Sequence, residues 1–202
     1  MTVTYNHLKP KWVQKEGQDT PWRLLPKHSG GGLVMDVGVH SVDIIDFLIG
    51  PMRDIRGTAT KRDDSSFVVE DDVFFTGKFG EKGEVSMKWD FNGTSGTHKD
   101  DIVITGSRGK MYLSCFNYTP ICVEYTTVRD LESIRERVQS KEEHVFERPE
   151  HAHQGLVQLI CNELRGGEAS PSTGESAIRV ADIMDDVLNE FYDGKRREAF
   201  WE

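Results

Sequence analysis

Asp36, His40 and Asp43 are the residues of this chain whose types and spacing best suit chemistry. Their offsets, i, i+4 and i+7, place all three on one side of a helix. A carboxylate one turn from an imidazole can orient the ring, fix its tautomer and raise its pKa. Such an imidazole can exchange a proton with a substrate hydroxyl. The same spacing describes a helix with a polar face and a satisfied His–Asp pair. It is also a weak metal pattern, with no Cys partner and no second tight His pair. Spacing alone leaves all three readings open.

The element that must carry this stripe is residues 30–50. Ser29-Gly30-Gly31-Gly32 reads as a glycine-rich turn feeding a helix. Leu33, Val34, Val37, Ile44, Ile45, Leu48 and Ile49 recur at three- and four-residue spacings, as a packed helix requires. Gly50 is a helix stop, and Pro51 cannot continue the helix.

Other candidates are sparser. Trp22-Arg23 stands inside a proline-bearing, charged arm, as a packing aromatic with a surface arginine or as part of a pocket wall. Glu70-Asp71-Asp72 reads as a solvated turn or bulge. Adjacent strand residues point to opposite faces, so three neighbouring carboxylates cannot converge on one ion. His151 and His153 open a C-terminal helix, where a histidine is ordinarily a surface residue.

Composition narrows the class. The chain has 202 residues, 34 acidic against 25 basic, and a net charge of −9. That argues against non-specific binding to nucleic acid and against an anionic membrane surface. No apolar run approaches a membrane span, and residues 1–6 lack the pattern of a secretory leader. Cys115, Cys122 and Cys161 form neither a CxxC pair nor an even set and read as reduced thiols, so a cytoplasmic location is expected.

The chain reads as one domain over residues 1–202. Residues 1–29 are an N-terminal arm, with residues 2–6 as a weak edge strand. Residues 30–50 are the motif helix, and residues 53–126 are a sheet. Within that sheet Val85, Met87, Trp89 and Phe91 alternate cleanly with polar partners. Residues 128–150 read as an exposed short helix or a loop. Residues 150–193 hold the C-terminal helices. The first has an apolar face of Leu156, Val157, Leu159, Ile160 and Leu164. The second is opened by a capping box at Ser172 and Glu175. The aromatic tail, 195–202, is expected to pack back on the domain or onto a partner.

Trp22-Arg23, Ser29-Gly30-Gly31-Gly32, Asp36-x-Gly38-x-His40, Asp43 and Leu48-x-Gly50-Pro51 together resemble the core signature of the Gfo/Idh/MocA oxidoreductases. Val69-Glu70-Asp71-Asp72 and Ile102-x-Ile104-x-Gly106-Ser107-Arg108-Gly109 continue the resemblance. It implies an α+β fold: an open, mostly antiparallel β-sheet with helices packed on one face, as in dihydrodipicolinate-reductase-like C-terminal domains. No Rossmann domain is expected in this chain. No strand–GxGxxG–helix unit is present, and Gly30-Gly31-Gly32 has the wrong spacing for one. The family's Glu-Lys-Pro motif is also absent, with Lys9-Pro10 and Lys11 as its nearest look-alikes.

The resemblance therefore implies the substrate-binding and oligomerisation half of an NAD(P)-dependent oxidoreductase acting on a sugar, polyol or related hydroxyl compound. His40 would be the general acid/base, and Asp36 would orient it or contact substrate. Trp22, Arg23 and His153 would touch substrate. NAD or NADP is implied, bound by a half absent from these residues, without which the chain should not turn over. A homodimer or homotetramer through the sheet face is implied as well. A rival is a non-catalytic homodimeric binding or scaffold module of the same fold, favoured if the outer sheet face is apolar. Phe75, Val73, Trp89 and Met87 are the candidates for that face. A metal-dependent hydrolase using Asp36, His40 and Asp43 is a third reading.

Overall fold

Alternating apolar residues build the sheet that holds everything else. The computed structural model describes residues 1–126 and 138–194. Eight strands form one sheet: β1 (Thr2–Pro10), β2 (Met52–Thr60), β3 (Asp72–Phe79), β4 (Gly83–Gly93), β5 (Lys99–Gly106), β6 (Gly109–Leu113), β7 (Ile121–Thr126) and β8 (Val138–His144). Their order is β2-β3-β4-β1-β5-β6-β7-β8. β1 runs parallel to β4, and every other neighbouring pair is antiparallel. The helices are α1 (Pro26–Ser29), α2 (Leu33–Ile49), α3 (Gln154–Leu164) and α4 (Gly174–Leu188), with a 3-10 turn at Trp22–Leu24. This is the expected α+β fold, with an open, mostly antiparallel sheet.

One face of the sheet is covered by α2 and α4. Val3 and Tyr5 of β1, Val73 and Phe75 of β3, and Val85, Met87 and Trp89 of β4 point into this layer. There they meet Val34, Val42 and Ile45 of α2 and Ile183, Met184, Val187 and Leu188 of α4. The period-two pattern of the strands and the 3.6-residue pattern of the helices thus share one core. Phe75, Val73, Trp89 and Met87, the candidates for an apolar outer face, all lie in this core. Their neighbours on the other parity, Phe74, Thr76, Glu84, Ser86 and Lys88, form the open face. Asp46 is buried on α2 and takes a two-pronged ion pair from Arg179 of α4, with Nη2–Oδ2 at 2.6 Å. That pair fixes how the two helices lie together.

Two sequence expectations need correction. Residues 2–6 are not an edge strand: β1 sits inside the sheet between β4 and β5, because Val3, Tyr5 and His7 all alternate into the core. Within the described part of 128–150, Val138–His144 is strand β8, paired antiparallel with β7, rather than a helix or loop, and residues 145–150 are irregular. Residues 127–137 and the tail 195–202 lie outside the described residues. The apolar face of α3 is open to solvent among the described residues. Leu164 is 81% exposed and Val157 55%, with Leu159 and Ile160 also open.

The acidic triplet is corrected as well. Glu70 is fully buried and Asp71 nearly so. Glu70 Oε1 accepts the backbone N–H of Val34 at 3.0 Å, in the first turn of α2, and Oε2 accepts the Tyr192 hydroxyl. A carboxylate at a helix N-terminus satisfies an otherwise orphaned amide and meets the positive end of the helix dipole. This contact explains the last glycine of the turn. A Cβ on Gly32 would lie 2.3 Å from Glu70 Oε2 and 2.5 Å from the Val69 Cβ. Asp71 instead turns to Arg62, accepting its backbone N–H and its side chain.

Gly32→Ala is expected to lower stability by about 2–4 kcal/mol, since overpacking and a displaced helix cap act together. Glu70→Gln, which keeps the acceptor oxygen, should cost less than Glu70→Ala. Urea denaturation midpoints test both. A Gly32→Ala protein as stable as the parent would refute the close-packed cap.

Candidate functional site

Gly38 orients the site helix. It faces the sheet, where a Cβ would come within 2.6 Å of Val34 Cγ1 and 3.3 Å of the Trp89 indole. The indole N–H of Trp89 donates to Ser41 Oγ at 3.1 Å, and that hydroxyl donates to the Gly38 carbonyl at 2.9 Å. At about 100° per residue, positions two before and two after Gly38 point away from the sheet. Those positions are Asp36 and His40. The pattern Asp-x-Gly-x-His therefore places two reactive side chains outward by packing one glycine inward.

Asp36 is held by the arm. Arg23 Nε donates to Asp36 Oδ1 at 3.0 Å, and the same guanidinium stacks on the Trp22 ring at 4.6 Å. The 3-10 turn at Trp22–Leu24 brings these residues to the helix, anchored by buried Leu24. Both partners of the ion pair are partly open to solvent, so the pair is worth at most about 1 kcal/mol. With Trp22 it forms a polar and aromatic wall beside α2. Among the described residues no hydrogen bond joins Asp36 to His40.

His40 is exposed one turn further along α2. Its imidazole meets the Phe116 ring edge-on, with centroids 6.1 Å apart and an interplanar angle of 87°. Phe116 also contacts His7 of β1 at 5.8 Å, and Lys9 Nζ lies 5.8 Å from its centroid. His7 is 1% exposed. Its Nδ1 lies 3.1 Å from the Tyr5 hydroxyl, which donates to Asp100 at 3.2 Å. With the phenol proton spent on Asp100, His7 must carry its proton on Nδ1. Its buried Nε2 has no hydrogen-bond partner among the described residues.

Burial sets the protonation here. It pulls the His7 pKa down to about 4, with nearby Lys9 acting in the same direction. It pushes the Cys115 thiol up to about 12, with Asp100 and Asp43 adding to the shift. Cys115 is thus a neutral thiol rather than a nucleophile. The Tyr5 hydroxyl is likewise held protonated by burial.

The structure brings together Trp22, Arg23 and Asp36, with His40 on the same helix side. His153 precedes α3, exposed, and no hydrogen bond or ring contact joins it to them among the described residues. Tyr5, His7, Asp100 and Phe116 were not anticipated. Parity held a signal for three of them: Tyr5 and His7 share the inward phase of Val3, and Asp100 shares that of Ile102. Phe116 left none. Among the described residues no group of three or more His, Cys, Asp or Glu side chains is arranged to hold a metal ion. The glycine turn is no dinucleotide cradle either, because Val69 and Glu70 fill the space beside Gly32.

The sequence pattern of the GFO/IDH/MocA C-terminal domain matches residues 1–112. Oxidoreductase P35 of Formosa agariphila is 27% identical over 164 residues, covering 81% of this chain and 46% of that protein. Solved structures of other proteins share the fold. Aldose-aldose oxidoreductase from Caulobacter crescentus, complexed with glycerol, superposes with a TM-score of 0.68 at 16% identity, over 98% of this chain and 53% of its own. Levoglucosan dehydrogenase in complex with NADH gives 0.68 at 15% identity, over 96% and 57%. The chain spans about half the length of the relatives it matches.

A neutral buried His7 gives stability a defined pH dependence. Its folded pKa lies below the unfolded value of 6.5. The unfolded chain therefore binds the extra proton first as pH falls. The contribution is full above about pH 6.5 and is lost toward pH 4, a change on the order of 2–3 kcal/mol. Denaturation midpoints at pH 7 and pH 4.5 should differ more for the parent than for His7→Leu. An equal pH dependence in both would contradict the buried neutral histidine.

Proposed function

The chain belongs to the GFO/IDH/MocA oxidoreductase family through its C-terminal domain, and on that premise we propose that it is the substrate-binding half of an NAD(P)-dependent oxidoreductase acting on a sugar, polyol or related hydroxyl compound. The observation that carries this reading is the outward pair Asp36 and His40 beside the Trp22–Arg23 wall. The nicotinamide, bound by the half of the enzyme that these residues do not cover, would exchange the hydride. His40 would take the proton from the reacting hydroxyl, or return it to a carbonyl oxygen in reverse. Asp36 and Arg23 would orient the neighbouring hydroxyls, Trp22 would stack on the sugar ring, and His153 would add a further contact.

The uncovered apolar face of α3 supports the same division. Leu156, Val157, Leu159, Ile160 and Leu164 would make a poor solvent face. We assign it to docking of the dinucleotide-binding half, since the relatives carry nearly as much chain again. Self-association into a dimer or tetramer would use the open sheet face, where Phe74 stands among polar neighbours. That face is mostly polar, so the non-catalytic scaffold reading gains nothing from it. Among the described residues no helix is long and apolar enough to cross a membrane. The free thiols fit a cytoplasmic setting.

Calorimetry of this chain with NADH and NADPH, beside light scattering for its mass, tests the division. No cofactor binding together with a dimer or larger assembly is expected. Micromolar binding would overturn it, because it would require a dinucleotide site within these residues. In an enzyme completed by a dinucleotide-binding half, His40→Asn should lower kcat by about 10²–10⁴-fold with little change in KM. An unchanged kcat would remove His40 from the acid/base role.

A further inference from the structure

His40 is not held by the carboxylate that helix spacing offers it. Asp36 is turned to Arg23, and no hydrogen bond reaches the imidazole among the described residues. The contact made to its ring is with Phe116, which meets it edge-on. Phe116 is itself pinned through its backbone. The buried carboxylate of Asp100 accepts three successive amides: Cys115 N at 3.3 Å, Phe116 N at 2.6 Å and Asn117 N at 3.0 Å. The Tyr5 hydroxyl is its fourth donor. Consecutive N–H groups converging on one anion form a nest, and charge-assisted hydrogen bonds of this kind are the strong ones.

We infer that Phe116, fixed by Asp100, is the positioning residue for His40. The inference rests on the acid/base reading of His40 given above. Asp100 sits on β5 and Phe116 follows β6, so the sheet determines where the phenyl ring stands. His7, 1% exposed, also contacts that ring and Phe91. The Phe116 ring thus touches both exposed His40 and buried His7. The imidazole of His40 is thereby confined on one side by an apolar edge and left open on the side facing solvent. An edge-to-face contact restricts side-chain rotation without taking either ring nitrogen. Both nitrogens of His40 remain available for proton exchange, which a bond to Asp36 would have halved.

Proton NMR of the histidine rings tests this in the chain as it stands. Exposed His28 and His153 serve as internal references for an intact fold. Phe116→Leu should shift the His40 ring signals and broaden its side-chain rotamer distribution, and Phe116→Tyr should restore both. Asp100→Asn should move the His40 signals in the direction of Phe116→Leu. It should also speed exchange of the Phe116 amide about tenfold, the loss of one charge-assisted bond. Tyr5→Phe removes one donor from the same carboxylate and should give a smaller shift of the same sign, so Asp100 stays testable if its own variant does not fold. His40 signals that ignore Phe116→Leu overturn the inference. Signals that follow Phe116 but ignore both Asp100→Asn and Tyr5→Phe remove Asp100 from it. The acid/base reading fails separately, if His40→Asn leaves turnover intact in a completed enzyme.

Discussion

The buried carboxylate of Glu70 at the head of α2 is the contact on which the arrangement depends. One oxygen caps the helix at Val34, and the other takes the hydroxyl of Tyr192. Three segments far apart in sequence, the site helix, the entry to β3 and the end of the α4 segment, are thus tied at one fully buried group. A buried charge survives only when its lone pairs are met, and breaking one side of such a contact leaves the rest uncompensated. The glycine turn before α2 follows from this contact: the chain must pass close over Glu70, and a side chain there would collide with it.

From that anchor the chemistry is a matter of rotation. Gly38 lets the Trp89 indole approach the helix, so the two outward positions of α2 are fixed relative to the sheet. The polar groups then divide by their surroundings. Asp36 and Arg23 stay open to solvent and adjustable. Tyr5, His7 and Asp100 are buried, and burial keeps Tyr5 protonated and His7 neutral at neutral pH. A sheet that is rigid beneath and a surface that is open above give a site with one complete wall.

Much of this could be read in the residues, and the limits were physical. The motif helix, its glycine stop and the alternation of residues 85–91 are local signals, and the structure bears them out. β1 was misplaced because its partners are remote, and a short strand does not show whether its edges are paired. Glu70 looked solvated because a run of three acids carries no sign of which one faces inward. Asp100 followed the parity of Ile102, yet a single aspartate in that phase reads as the end of a strand. The amphipathic pattern of α3 was read correctly as apolar, but periodicity cannot tell whether the covering surface lies within these residues.

The placement of β1 bears on how the chain acquires its shape. Thr2 pairs with Glu84 on one side and with Thr105 on the other. The first of the eight strands in chain order therefore lies at the middle of the finished sheet. It must wait, with Val3 and Tyr5 uncovered, until β4 and β5 have been synthesised. The hairpin of β3 and β4 and that of β5 and β6 can each form locally, but they join only through this strand. Closure of such remote pairings is slow, and an unpaired strand is exposed to association meanwhile. The earliest strand of this domain is thus the keystone set last, and the yield of folded protein depends on keeping it shielded until then.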